Sequence, residues 1–76
     1  MDMHQDTITD ILNSLAKEMP QERNPVWIEE MQIFTEARRR EMTDDETKAT
    51  LNQLWAEGRI KVHQGLNQKI ITWRVD

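Results

Sequence analysis

Cysteine is absent from the 76 residues, so neither a disulfide framework nor a thiolate metal site is available, and nothing requires an oxidising compartment. Proline occurs only at Pro20 and Pro25, and no stretch repeats at a fixed interval, which leaves linker and solenoid architectures without support. Glycine also occurs only twice, and no Gly-rich phosphate loop is present. The longest apolar runs, such as Val26-Trp27-Ile28, fall far below the ~20 residues that cross a bilayer, so no membrane span is expected. Residues 1–6 lack a basic region followed by an apolar stretch; a secretory signal is not expected and a cytoplasmic location is.

What is present is a single small domain's worth of chain over residues 1–76, 37% hydrophobic and 32% charged, with three Trp and one Phe. The apolar fraction is below the usual ~45–50%, yet the aromatics and clear periodic runs argue for a fold rather than disorder. A domain this size hides only about 60% of the surface its unfolded chain exposes, so little is spare for a deep pocket, and a binding module is expected before an enzyme. No Ser/His/Asp set and no nucleophile-plus-base grouping accompanies the fourteen carboxylates. No enzymatic activity, cofactor or small-molecule substrate is therefore expected. His4 and His63 are separated by most of the chain and have no Cys partners, so no metal site is expected either.

Residues Ile8, Ile11, Leu12, Leu15, Ala16 and Met19 follow the i, i+3, i+4, i+7 stripe of a helical face. Asp6 or Thr7 is the expected cap, residues 1–6 a flexible tail, and Pro20 the stop. Residues 21–25 read as a connector. A second stripe, Trp27, Ile28, Met31, Phe34 and Ala37, predicts helix two, with Arg38, Arg39 and Arg40 placed where a helix's negative end favours cations. Thr43-Asp44-Asp45-Glu46 is a capping box that opens helix three, whose inward face reads Thr47, Thr50, Leu51, Leu54 and Trp55, and Gly58 supplies the left-handed stop. After Gly58 the period becomes two. Ile60 and Val62 alternate with Lys61 and His63, and Ile71, Trp73 and Val75 alternate with Thr72 and Arg74, predicting two strands joined by Gln64-Gly65-Leu66-Asn67-Gln68, with Gly65 or Asn67 at positive φ. An isolated hairpin is marginal, so the ribbon is expected to pack on the helices, with Trp27, Trp55 and Trp73 meeting in one core.

The run Leu51-Asn52-Gln53-Leu54-Trp55-Ala56-Glu57-Gly58-Arg59-Ile60, followed by Lys61-Val62-His63 and Lys69-Ile70-Ile71-Thr72-Trp73, resembles the winged helix-turn-helix family over residues 8–75. The resemblance implies an α+β, winged-helix-like fold: three α-helices followed by a C-terminal two-stranded antiparallel β-hairpin wing. It also implies that helix three faces a DNA major groove while the wing touches the backbone or the minor groove. By position, Lys48, Asn52 and Gln53 would face the duplex, with Arg59, Lys61 and Lys69 of the wing and Arg38, Arg39 and Arg40 holding phosphates. A small nucleic-acid-binding, regulator-type module on double-stranded DNA is the first expectation.

Charge supplies the second. Residues 1–37 carry two basic and eight acidic groups, net −6; residues 38–42 are +2, residues 43–58 are −3 and residues 59–76 are +3, on a chain of net −4. The acidic opening Asp44, Asp45 and Glu46 repels phosphates, and either stabilises the helix start or docks a protein partner or a second copy of the chain. A protein-interaction winged helix that binds no DNA is therefore the alternative.

Overall fold

A computed structural model describes residues 3–19 and 24–75. Among them the chain forms α1 (Met3–Lys17), β1 (Val26–Glu29), α2 (Glu30–Arg39), α3 (Asp44–Ala56), β2 (Ile60–Gln64) and β3 (Lys69–Trp73). The fold is α+β, with three helices and a three-stranded antiparallel sheet in the order β1-β3-β2. Pro20 as a helix stop, residues 21–23 of the connector and residues 1–2 of the expected tail lie outside the described residues.

The stripe of α1 is as read: Ile8, Ile11, Leu12, Leu15 and Ala16 are buried. Its start is not. The helix already runs at Met3, so Asp6 and Thr7 do not cap it, and the Thr7 hydroxyl donates to the Met3 carbonyl inside the first turn. Residues 3–6 are helical rather than a tail because α3 gives them partners: His4 Nε2 lies 3.0 Å from Glu46 Oε2, and Gln5 Nε2 donates to Gln53 Oε1 and Glu57 Oε2.

The expected second helix divides in two. Val26-Trp27-Ile28-Glu29 is a strand, buried on alternate residues and paired antiparallel with β3 in the register Val26↔Trp73 to Glu29↔Ile70. β-branched and aromatic residues suit that pleated position, and β3 supplies the hydrogen bonds a helix would have found locally. The two-stranded wing is thus part of a three-stranded sheet. The helix proper begins at Glu30, and its inward residues are Ile33 and Ala37, with Phe34 partly buried and Met31 exposed.

α3 opens on the capping box as read: the Thr43 hydroxyl accepts from the Glu46 backbone N–H, while Glu46 Oε1 accepts from the Thr43 N–H at 2.9 Å. Thr47, Thr50, Leu51 and Leu54 face inward, and the two threonines satisfy their hydroxyls on the carbonyls of Thr43 and Glu46. Trp55, at the edge of that stripe, is 58% exposed, and Trp27 on the sheet's outer face is 54% exposed. The three tryptophans therefore do not share a core. Trp73 alone is buried, with its indole N–H donating to Asn13 Oδ1 of α1 at 2.8 Å, and the core is mainly aliphatic: Ile8, Leu12, Ile28, Ile33, Leu54 and Ile71.

Positive φ occurs, among the described residues, at Gly58 (75°) and Glu41 (66°), and not at Gly65 or Asn67. Gly65 serves the hairpin differently. Its N–H donates to the Gln68 carbonyl at 2.7 Å, and a Cβ there would sit 2.8 Å from that same oxygen. β3 ends at Trp73, so Val75 is not a strand residue; its N–H and carbonyl are held by the Asn24 side chain.

Candidate functional site

The sheet register decides which side chains share a face. Val26, Ile28, Ile60, Val62, Gln64, Lys69, Ile71 and Trp73 lie on the helix side, whereas Trp27, Lys61, His63 and Thr72 lie on the outer side. On that outer side Trp27 stacks on His63, ring centroids 6.2 Å apart and planes 17° apart. The rings come from the two flanking strands and so cover the central one, and Thr72 is buried beneath. His63 and His4 are thus engaged separately, with a ring and a carboxylate. Among the described residues no group of three or more His, Asp or Glu converges as metal ligands would.

The nine polar and basic residues expected to hold a duplex fall into four places. Arg38 forms a two-pronged pair with Asp44, its Nε and Nη2 each 2.8 Å from a carboxylate oxygen. The hydrogen bonds hold the Asp44 carboxyl below its ordinary range and raise the Arg38 guanidinium further, so each cancels the other's charge at the α2–α3 corner. Arg39 reaches Glu36 at 3.2 Å. Arg40 makes no ion pair among the described residues. Glu46 is spent as well: the Thr43 backbone N–H, then its hydroxyl, keep the Glu46 carboxyl below its usual range, with His4 adding to the effect. Of the acidic opening Asp44, Asp45 and Glu46, only Asp45 has no ion pair or side-chain hydrogen bond among the described residues.

Gln53 does not stand with Lys48 and Asn52, because Gln5 of α1 engages it. Lys48, Asn52 and Trp55 occupy one exposed line of α3, spaced i, i+4, i+7, and face the ribbon across a groove of about 540 Å³. Leu51, Ile71 and Phe34 lie at the base of this groove, Val62 and Trp55 stand part-exposed in its walls, and Lys69 and Gln64 close the ribbon side. Glu30 is the one carboxylate in the lining among the described residues. The loop beyond Gln64 carries Leu66, wholly exposed.

Arg59 and Lys61 belong elsewhere, at the opposite end of the ribbon from that loop. Arg59, Arg74 and Lys17 line a depression of about 610 Å³ together with Thr9, Asn13 and the edge of Trp73, and among the described residues no carboxylate lines it. A smaller hollow of about 100 Å³ shares Arg59 and Arg74 and adds Lys61, again without a carboxylate among the described residues. Arg59 donates to the side-chain oxygen Oε1 of Gln5 at 3.4 Å and lies 4.0 Å from Glu57. Lys17, Lys61 and Arg74 make no ion pair among the described residues. Gly58 lies in both linings, with nothing within 4 Å of where a Cβ would be.

Lys17 and Arg74 were not among the expected site residues. The signal for Arg74 is in the sequence, as part of the basic tail of the chain; Lys17 has none, being 42 positions from Arg59 and brought there by the packing of α1. No helix is long and apolar enough to cross a membrane among the described residues. The chain matches no model of a known protein family, no curated protein and no solved structure.

Proposed function

We propose that this protein is a non-enzymatic, winged-helix-like module that binds the phosphodiester backbone of nucleic acid through Lys17, Arg59, Lys61 and Arg74. The three helices and the C-terminal ribbon that follows α3 are parts the winged-helix resemblance implies and support that reading, while β1 between α1 and α2, which makes the sheet three-stranded, is an addition to it. The observation that carries the function is the convergence of four of the chain's ten basic residues on two adjoining hollows with no acid in their lining among the described residues, on a molecule of net −4. Such a concentration of one sign against the overall charge is what a polyanion selects. The proposed contacts are to phosphate: Oδ1 of Asn13, the amide at this surface, already accepts from the Trp73 indole, which competes with the paired accept-and-donate contact an Asn makes with adenine. The corresponding surface in the winged-helix scheme, the outer line of α3, offers only Lys48 and Asn52 beside an exposed tryptophan and Glu30.

The test is fluorescence anisotropy of a labelled mixed-sequence duplex with the full chain from 50 to 200 mM salt. Three to four phosphate contacts give a log–log slope of about −2.7 to −3.6, a loss of about 40- to 150-fold over that range. Lys17→Glu with Lys61→Glu should weaken binding to every sequence and flatten the slope by about 2. Unchanged binding by that variant, or its loss on Lys48→Glu with Lys69→Glu instead, refutes the assignment.

A further inference from the structure

The groove between α3 and the ribbon has a different chemistry from the basic face and shares no lining residue with it among the described residues. Half of its lining is apolar: Phe34, Leu51, Trp55, Val62 and Ile71. In a chain that can bury so little, leaving a Trp 58% and a Val 38% exposed side by side forgoes stabilisation that these residues would supply in a core. Around this apolar strip stand two cations on opposite walls, Lys48 from the helix and Lys69 from the strand, neither in an ion pair among the described residues. A nucleic-acid backbone gains little from an apolar floor, and two lysines offset by Glu30 supply little attraction for phosphate. Aromatic and aliphatic floor with a charged rim is the make-up of a protein-docking surface, in which a tryptophan is the usual anchor.

We propose that this groove receives a short segment of a partner protein bearing two or three bulky apolar side chains flanked by carboxylates. The apolar side chains seat between Trp55 and Val62 over Leu51 and Ile71, and the flanking carboxylates meet Lys48 on one wall and Lys69 on the other. Lys48 to Trp55 spans seven residues of α3, about 10 Å at 1.5 Å per residue, which matches two turns of an amphipathic segment laid alongside. Asn52 and Gln64 on facing walls add hydrogen-bonding capacity at the rim.

The proposal is tested without nucleic acid, on the ¹⁵N-labelled full chain, with three synthetic 12-residue peptides. One carries Leu and Phe anchors at i, i+4 and i+7 with Glu elsewhere; the second keeps the anchors but replaces Glu with Lys; the third keeps Glu but replaces the anchors with Ser. The first peptide should bind, shifting the Trp55 indole resonance and the amides of Lys48, Val62 and Lys69, and the other two at least tenfold more weakly. Trp55→Ser should lower affinity for the first peptide at least tenfold. Lys48→Glu with Lys69→Glu should transfer preference to the Lys-flanked peptide, a reversal that a misfolded variant would not show. Equal binding of the Glu- and Lys-flanked peptides overturns the proposal, as do shifts confined to another face or no binding of any peptide. Concentration-dependent shifts in these groove residues without peptide would assign the groove to a second copy of the chain, and overturn it also.

Discussion

Glu41 occupies a backbone position that favours glycine, and replacing it should stabilise the protein. Both α2 and α3 end in the same way. After α2 the Met42 N–H donates to the Ala37 carbonyl and the Glu41 N–H to that of Arg38, both at 3.0 Å; after α3 the Arg59 N–H donates to the Leu54 carbonyl at 2.9 Å and the Gly58 N–H to that of Trp55 at 3.0 Å. These are paired Schellman closures, with Glu41 and Gly58 as the left-handed residues at φ 66° and 75°. Left-handed backbone costs a residue with a Cβ about 1–2 kcal/mol, and glycine gives back about 0.5–1 kcal/mol of this through its freer unfolded chain. The net gain for Glu41→Gly is about 0.5–1 kcal/mol, which in a domain of this length raises the unfolding midpoint by about 2–8 °C. The acid also stands at the negative end of α2, and Glu41→Gln separates that contribution, about 0.3 kcal/mol or more for an exposed charge, from the backbone term. Gly58→Ala is the mirror experiment: the added Cβ meets nothing within 4 Å, so its loss of about 1 kcal/mol is purely conformational. Thermal unfolding followed by circular dichroism at neutral pH reads all three. If Glu41→Gly leaves the midpoint unchanged or lowers it while Gly58→Ala destabilises, the closure of α2 does not have the geometry described and the reasoning fails.

Burial separates the tryptophans in the same assay. Trp73→Ala should cost about 3–5 kcal/mol and Asn13→Ala about 1–3 kcal/mol by leaving the indole N–H without its acceptor, while Trp55→Ala should cost under about 1 kcal/mol. A large loss on Trp55→Ala would place that ring in the core. Acid stability follows from the two depressed carboxyls. Asp44 and Glu46 have folded pKa values below their unfolded ones, so their contribution is fully present above the unfolded value of about 4 and is lost as pH falls through the folded values. The unfolding midpoint should fall below about pH 4, and Asp44→Asn with Glu46→Gln should make that fall shallower; an unchanged slope would show that neither carboxylate is linked to folding.

Local chemistry was legible and pairing was not. Thr43 with Glu46, and Gly58 after α3, act through bonds three to five residues long, so a short window of sequence contains both partners. The alternation in β2 and β3 is likewise local. β1 is not: Val26-Trp27-Ile28 fits a helical stripe and a short strand equally well, and the choice is made by β3, more than forty residues downstream. Once those residues pair, Ile33 takes the inward position that the stripe assigned to Met31. Trp55 failed for a related reason. Thr47, Thr50, Leu51 and Leu54 fill the inward face of α3, and Trp55, one turn beyond Leu51, is left at its edge in the wall of the groove. The early start of α1 is invisible because Gln5 finds its partners in Gln53 of α3 and in Glu57 and Arg59 just after it, about fifty residues away.

Net charge was the least informative quantity about the site, and the reason is pairing. The acids that made α3 look hostile to phosphate are largely committed: Asp44 to Arg38, Glu46 to its own cap and His4, with Glu36 nearby committed to Arg39. The same pairs remove Arg38 and Arg39 from the cations available to a ligand. Apart from Arg40 at the end of α2, the cations without an ion pair among the described residues are sorted by position along the ribbon: Lys17, Lys61 and Arg74 near its root, Lys48 and Lys69 around the groove. Since the two surfaces have no lining residue in common among the described residues, filling one removes no contact from the other. Lys48→Glu with Lys69→Glu and Lys17→Glu with Lys61→Glu should then have additive effects on peptide and duplex binding, each pair acting on its own ligand apart from a small long-range charge term that salt screens.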